Sequence, residues 1–178
     1  MKKLTALLVL VFFAAVIVYA QEAPPPPKPG PEHAKLGFFV GKWTHEGELK
    51  PSPYGPSGKF TFTEDCDWLP GNFAVVCHTQ GLMFGMTVTG MSILSYDLIQ
   101  KDYVYFETNN IGENTFSRGA VNGDTWTWTN EAPMNGKIVH ARFTLKQLGN
   151  DSASYKFEMG AGSDPFALVM EGKETRIK

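Results

Sequence analysis

Gly41-Lys42-Trp43-Thr44-His45-Glu46-Gly47-Glu48-Leu49 alternates: Trp43, His45, Gly47 and Leu49 share one side, while Lys42, Thr44, Glu46 and Glu48 share the other. Period two with one plainly solvated side marks a strand with one buried face, and it turns His45 inward beside Trp43. The next run puts Phe60, Phe62, Glu64, Cys66 and Trp68 on one side against Lys59, Thr61, Thr63, Asp65 and Asp67. Working outward, the pattern predicts strands at 42–50, 58–68, 72–80, 86–97, 103–109, 114–121, 125–130, 137–147, 153–159 and 166–176. Turn-forming residues separate them, among them Pro53-Tyr54-Gly55-Pro56, Pro70-Gly71-Asn72, Asn122-Gly123-Asp124, Asn135-Gly136 and Gly149-Asn150-Asp151. Short turns favour nearest-neighbour antiparallel pairing, and closing the meander removes its two edges. The fold class is therefore all-β: an antiparallel up-and-down barrel of about ten strands. An immunoglobulin-type sandwich is the alternative, disfavoured because long Greek-key crossings are missing.

Upstream of the barrel, Pro31 and Glu32 suit a first helical turn, Leu36, Phe39 and Val40 recur at helical spacing, and Gly41 stops the run. A short N-terminal helix over 31–40 is expected, packing Leu36 and Phe39 on the barrel. Before it, 21–30 carries Pro24-Pro25-Pro26-Pro27 and Pro29, an extended and solvated linker. The first twenty residues read as a signal peptide: Lys2 and Lys3, an apolar run from Leu7 to Val18, and Val18-Tyr19-Ala20 for cleavage. An uncleaved anchor is the competing reading of that segment. Cleavage leaves one domain, 31–178, that is exported, periplasmic or secreted.

Loss of Lys2 and Lys3 leaves 14 bases against 18 acids, a charge of about −4. The bases form no stripe, so neither nucleic acid nor, once the leader is gone, a membrane is an expected partner. Oligomeric state is not legible.

The helix, then Gly41-Lys42-Trp43 opening the first strand, then the meander, resembles the calycin superfamily, the lipocalin-like barrels. There Gly-x-Trp begins the barrel and the Trp plugs its closed end. The resemblance implies that Gly41 and Trp43 are structural. Pro31-Glu32-His33, Gly90 with Tyr96-Asp97, and Asp124-Thr125-Trp126-Thr127-Trp128 also look like an uncharacterised family of exported bacterial domains over 31–176. A distant relative in the class, nitrobindin, opens with Gly-x-Trp-x-Gly-x-Gly and holds haem by a His near its C-terminus. This chain has Gly41, Trp43 and Gly47 but His45 at the middle Gly, and its last histidine is His140. No cofactor is expected.

Cys66 and Cys77 stand equally far from the Gly71–Asn72 bond, so a hairpin centred there sets them opposite one another. In an exported chain that pairing favours a disulfide, with two small buried thiols as the alternative. His33, His45, His78 and His140 show no metal-ligand spacing, and no metal site is expected. No Gly-x-Ser-x-Gly elbow or dinucleotide loop is present, and no catalytic set is assigned. Arg142 alternates against Val139, Ala141, Phe143 and Leu145, which places it outside; facing inward it would clamp a carboxylate.

An interior mixing aromatics with a few polar groups suits a ligand cavity. The expected ligand-binding residues are His45, Phe60, Phe62, Glu64 and Trp68, around a small, lipophilic molecule. Two alternatives stand beside that reading. One is an enzyme acting on an apolar substrate through His45 and Glu64. The other is a filled barrel serving as a scaffold or interaction protein.

Overall fold

Ten strands close on themselves in the computed structural model, which describes residues 25–178. The expected leader, 1–20, and the start of the linker lie outside the described residues. Residues 25–30 have no regular structure, and 25–29 are exposed. The helix α1 spans Pro31–Lys35, and a 3₁₀ turn, Leu36–Phe38, delivers the chain to the barrel. The strands are β1 (Gly41–Leu49), β2 (Gly58–Trp68), β3 (Ala74–Met83), β4 (Met86–Asp97) and β5 (Asp102–Asn109). They continue with β6 (Asn114–Asn122), β7 (Thr125–Met134), β8 (Lys137–Gln147), β9 (Ser152–Ala161) and β10 (Ala167–Arg176). Every strand pairs antiparallel with its sequence neighbours, and β1 closes the barrel on β10 from Trp43↔Arg176 to Leu49↔Met170. The expected up-and-down barrel with a short N-terminal helix is what forms.

Two strands run further than their sequence suggests. Gly81 looks like the end of the third strand at 80, yet β3 continues to Met83 and turns at Phe84-Gly85, both at positive φ (52° and 74°). Gly81 lies within the ladder, directly opposite Phe62. β7 passes the expected end at 130 and includes Pro133, which pairs with Ile138. Its last partner on β6 is Thr129, opposite Arg118, so residues 130–134 bond only to β8. Pro133 therefore sits where a missing N–H costs no ladder bond on the β6 side.

Trp43 decides which end of the barrel is closed. It is 2 % exposed, and its Nε1 donates to the Phe39 carbonyl at 2.9 Å. The Phe38 ring lies 5.2 Å away, and the Arg176 guanidinium sits 4.1 Å above the indole, a cation–π contact. Arg176 also donates to the carbonyls of Val40, Phe38 and Asn150. One cation thus ties the last strand to the 3₁₀ turn and the first strand. Gly41, at φ 121°, makes the bend that any Cβ would strain.

The Pro31-Glu32-His33 motif is structural as well. His33 is buried, its Nδ1 accepts from the Gly30 N–H, and its ring meets Phe73 and Tyr96 edge-on. Glu32 accepts from the Tyr103 hydroxyl at 2.6 Å, which moors α1 to β5. Cys66 and Cys77 pair across β2 and β3 and form a disulfide.

Candidate functional site

Pleating sends alternate side chains of each strand into the lumen. Four of the inward aromatics face a glycine directly across the ladder: Phe60 opposite Gly47, Phe62 opposite Gly81, Trp128 opposite Gly119 and Tyr155 opposite Gly172. A Cβ on any of these glycines would overlap the ring it faces. Each ring therefore lies over its glycine and takes the space that a Cβ would need. Trp126 and Trp128 stack at 5.5 Å, and Phe143 stacks on Tyr155 at 5.6 Å, extending the aromatic wall.

The two halves of the lumen differ. Towards α1 the inward residues Trp43, Cys66, Val75, Cys77, Trp126 and Ala153 are buried. Beyond them, His45, Phe62, Glu64, Tyr105, Glu107, Phe143 and Phe157 keep partial access to water although they point into the barrel. The far hairpins leave apolar side chains exposed at the mouth: Phe84 and Met86, Ile111, Met134 and Phe166. The unpaired run 130–134 also leaves the wall between β6 and β7 open on that side. Two surface depressions, of about 440 and 420 Å³, lie elsewhere. One is between α1 and Arg176 at the closed end, and the other is on the outer face of β2 to β4.

A polar belt crosses the middle of the lumen. His45 on β1 stands between two carboxylates, with Nε2 3.3 Å from Glu64 Oε2 and Nδ1 3.5 Å from Glu174 Oε2. The angle at Nε2 falls outside hydrogen-bond geometry. Glu64 accepts from the Thr79 hydroxyl at 3.0 Å. Glu107 accepts from Tyr105 Oη at 2.6 Å. Glu174 is 5 % exposed, and its Oε1 has no partner; the buried Tyr155 hydroxyl and Ser92 Oγ have none either.

Burial decides the electrostatics of this belt. It lifts Glu174 to about 7; His45 pulls the value down, Glu64 pushes it up and Arg176 pulls it down. Burial also raises Glu107, against the Tyr105 hydrogen bond that lowers it and with the Glu64 charge adding to the rise. For His45 burial lowers the pKa, but Glu64 and Glu174 together outweigh it and hold the imidazole above its ordinary value. Burial pushes the Tyr105 and Tyr155 hydroxyls up as well, so both remain neutral donors.

His45, Glu64, Phe60 and Phe62 come together on the β1–β2 side of the open half, as their alternation implies. Trp68 does not join them: it packs near Gly37 of the 3₁₀ turn, at the closed end. Glu107 and Glu174 are not singled out by the sequence. Their alternation with Tyr103 and Tyr105 on β5, and with Gly172 and Arg176 on β10, is the signal that points them inward. A bulge between Leu168 and Met170 blurs it on β10. Arg142 lies outside, 3.1 Å from Glu158 and 4.4 Å over the Phe166 ring. Among the described residues, one cluster brings three potential metal-ligating groups together: Glu64, Cys66 and Cys77. Its sulfurs are bonded to each other.

Residues 28–176 match a family model described as "Protein of unknown function (DUF1579)". The chain belongs to this family. None of the curated proteins compared with this DUF1579 member matches its sequence. Its barrel is similar to the crystal structure of Rv2717c from M. tuberculosis, at TM-score 0.56 and 14% identity, over 84% of this chain and 99% of that one. It is also similar to the S-type phycobiliprotein lyase CPES from Guillardia theta, at TM-score 0.57 and 10% identity, over 83% of this chain and 93% of that one. At these identities the likeness is one of fold alone, and it fits a lipocalin-like barrel fold.

Proposed function

We propose that the chain is an exported binding protein that holds a small, mostly apolar molecule in the open half of its barrel. The observation that carries this reading is the flattened aromatic wall. Phe60, Phe62 and Tyr155 lie over cross-strand glycines where a Cβ would overlap the ring, and beside them His45, Glu64, Tyr105 and Glu107 keep partial access to water inside the barrel. A barrel packed for stability alone would not turn three carboxyl groups and an imidazole into its interior, because burying charged groups is costly. The exposed apolar mouth gives a lipophilic molecule a path of approach. Export is supported by the leader-like first twenty residues and by the disulfide. Likeness to a phycobiliprotein lyase adds a barrel neighbour that acts on a named partner, but supplies no ligand for this one.

A second reading, an enzyme acting on an apolar substrate, draws on His45 between Glu64 and Glu174, since a carboxyl near 7 is suited to proton transfer. The test of the binding role is native mass spectrometry of the mature protein purified from its own host, with titration of N-phenyl-1-naphthylamine. A co-purified small molecule, or saturable probe binding at one site, is the expected result. A bare protein mass together with no saturable probe binding would overturn the proposal.

A further inference from the structure

The polar belt is built for a head group of one sign. Three carboxylates, Glu64, Glu107 and Glu174, come from β2, β5 and β10 and face the lumen, against a single imidazole. Arg142 is outside, and Arg176 is engaged at the closed end by Trp43 and backbone carbonyls. One of these carboxylates and one neighbouring hydroxyl have nothing to bond. Glu174 Oε1 and Tyr155 Oη are both deeply buried and lack partners, although buried oxygens in folded proteins are nearly always satisfied. An orphaned carboxylate oxygen needs a donor. The His45 ring approaches Glu174 only at Oε2, at 3.5 Å.

Resting on the binding role above, we propose that the lumen's ligand is an amphiphile with a protonated amine head, seated on Glu174 and Glu64 with its apolar body against Phe60, Phe62 and Phe143. An ammonium offers three donors and a positive charge, which answers the orphaned Oε1 and balances the surplus carboxylates. A fatty-acid carboxylate would meet like charges and only one imidazole, so this lumen selects against it. The Tyr155 hydroxyl, held neutral by burial, takes a polar substituent beside the head as acceptor or donor. The flat rings suit either an alkyl or an aromatic body, so the head sets the selectivity.

The test compares three probes of equal chain length with the mature protein: dodecylamine, dodecanol and dodecanoate, by calorimetry at fixed ionic strength. The amine is expected to bind roughly tenfold or more tightly than the alcohol, the increment of a charged hydrogen bond, with the acid weakest. In Glu174→Gln and Glu64→Gln that preference should shrink to within about threefold while alcohol binding is kept, since neither change alters side-chain volume. Glu107→Gln serves as a further variant should either of these fail to fold. Alcohol and acid binding without an amine preference would overturn the head-group assignment and leave the binding role standing. An amine preference that survives in both Gln variants would also overturn it, because neither Glu174 nor Glu64 would then be what seats the amine head. Failure of all three probes to bind would sink both.

Discussion

Glu174→Gln should flatten the stability of the protein against pH. In the folded chain the Glu174 carboxyl titrates at about 7 instead of 4.5, because burial disfavours its charge. The folded state therefore holds a proton that the unfolded chain releases, and stability falls as pH rises from 4.5 to 7. That gap of about two and a half pH units corresponds to about 3 kcal/mol. For a domain of this size the loss amounts to a fall of roughly 6–12 °C in Tm. His45 adds in the same direction: its folded pKa is raised, so its contribution is present below the ordinary imidazole value and is lost as pH climbs through the folded one. Opposing these, Glu32, Asp97 and Glu158 have lowered values, and their contribution disappears only below the usual carboxylate range. Wild type should accordingly be most stable mildly acid of neutrality. Glu174→Gln keeps the volume and removes the titration. Thermal melts by circular dichroism between pH 4.5 and 8.5, at constant salt, should show the variant overtaking wild type as pH rises from 4.5 to about 7. Parallel curves for the two proteins would refute a buried, proton-binding Glu174, and the electrostatic account of the belt would go with it.

Trp43→Ala should cost roughly 3–5 kcal/mol, since the indole fills the closed end; Arg176→Ala should cost less, about 1–3 kcal/mol, and should leave probe binding at the mouth unchanged. Melts of both variants, read beside N-phenyl-1-naphthylamine titrations, check this, and a wild-type Tm for Trp43→Ala would contradict the closed-end assignment. Cys66→Ala with Cys77→Ala should lower stability by at most about 3 kcal/mol, the loop-closure entropy of so short a loop. Denaturant unfolding with and without reductant measures it. Peptide mapping of the native protein that finds both thiols alkylated without reduction would show that the bridge is not made.

The sequence alone determined the strands, their order and the closed end, for a physical reason: each depends on local pattern. Alternation at Trp43 to Leu49 and at Phe60 to Trp68 is a property of neighbouring residues, and short turns leave a meander little choice of partner. Equal spacing of Cys66 and Cys77 about one turn fixed their register in the same way. Closure brings the last strand beside Trp43, because the first and last strands of such a barrel must meet; that the cation over the indole is Arg176 and not Lys173 is decided by the structure. The sequence places two strand ends too early, at 80 and 130: β3 runs on through Gly81, which sits across from the Phe62 ring, and β7 through Pro133, which pairs with β8 where no bond to β6 is made. Only the tertiary structure decided the site. Glu64, Glu107 and Glu174 are 43 and 67 residues apart along the chain, and nothing in a single strand shows that they face one lumen. Their pKa values arise from burial and mutual charge, which exist only once the barrel has closed. Trp68 shows the same limit from the other side. It shares a face with Phe60 and Glu64, yet the length of β2 carries it to the closed end, because alternation fixes which way a side chain points and not how far along the barrel it lies.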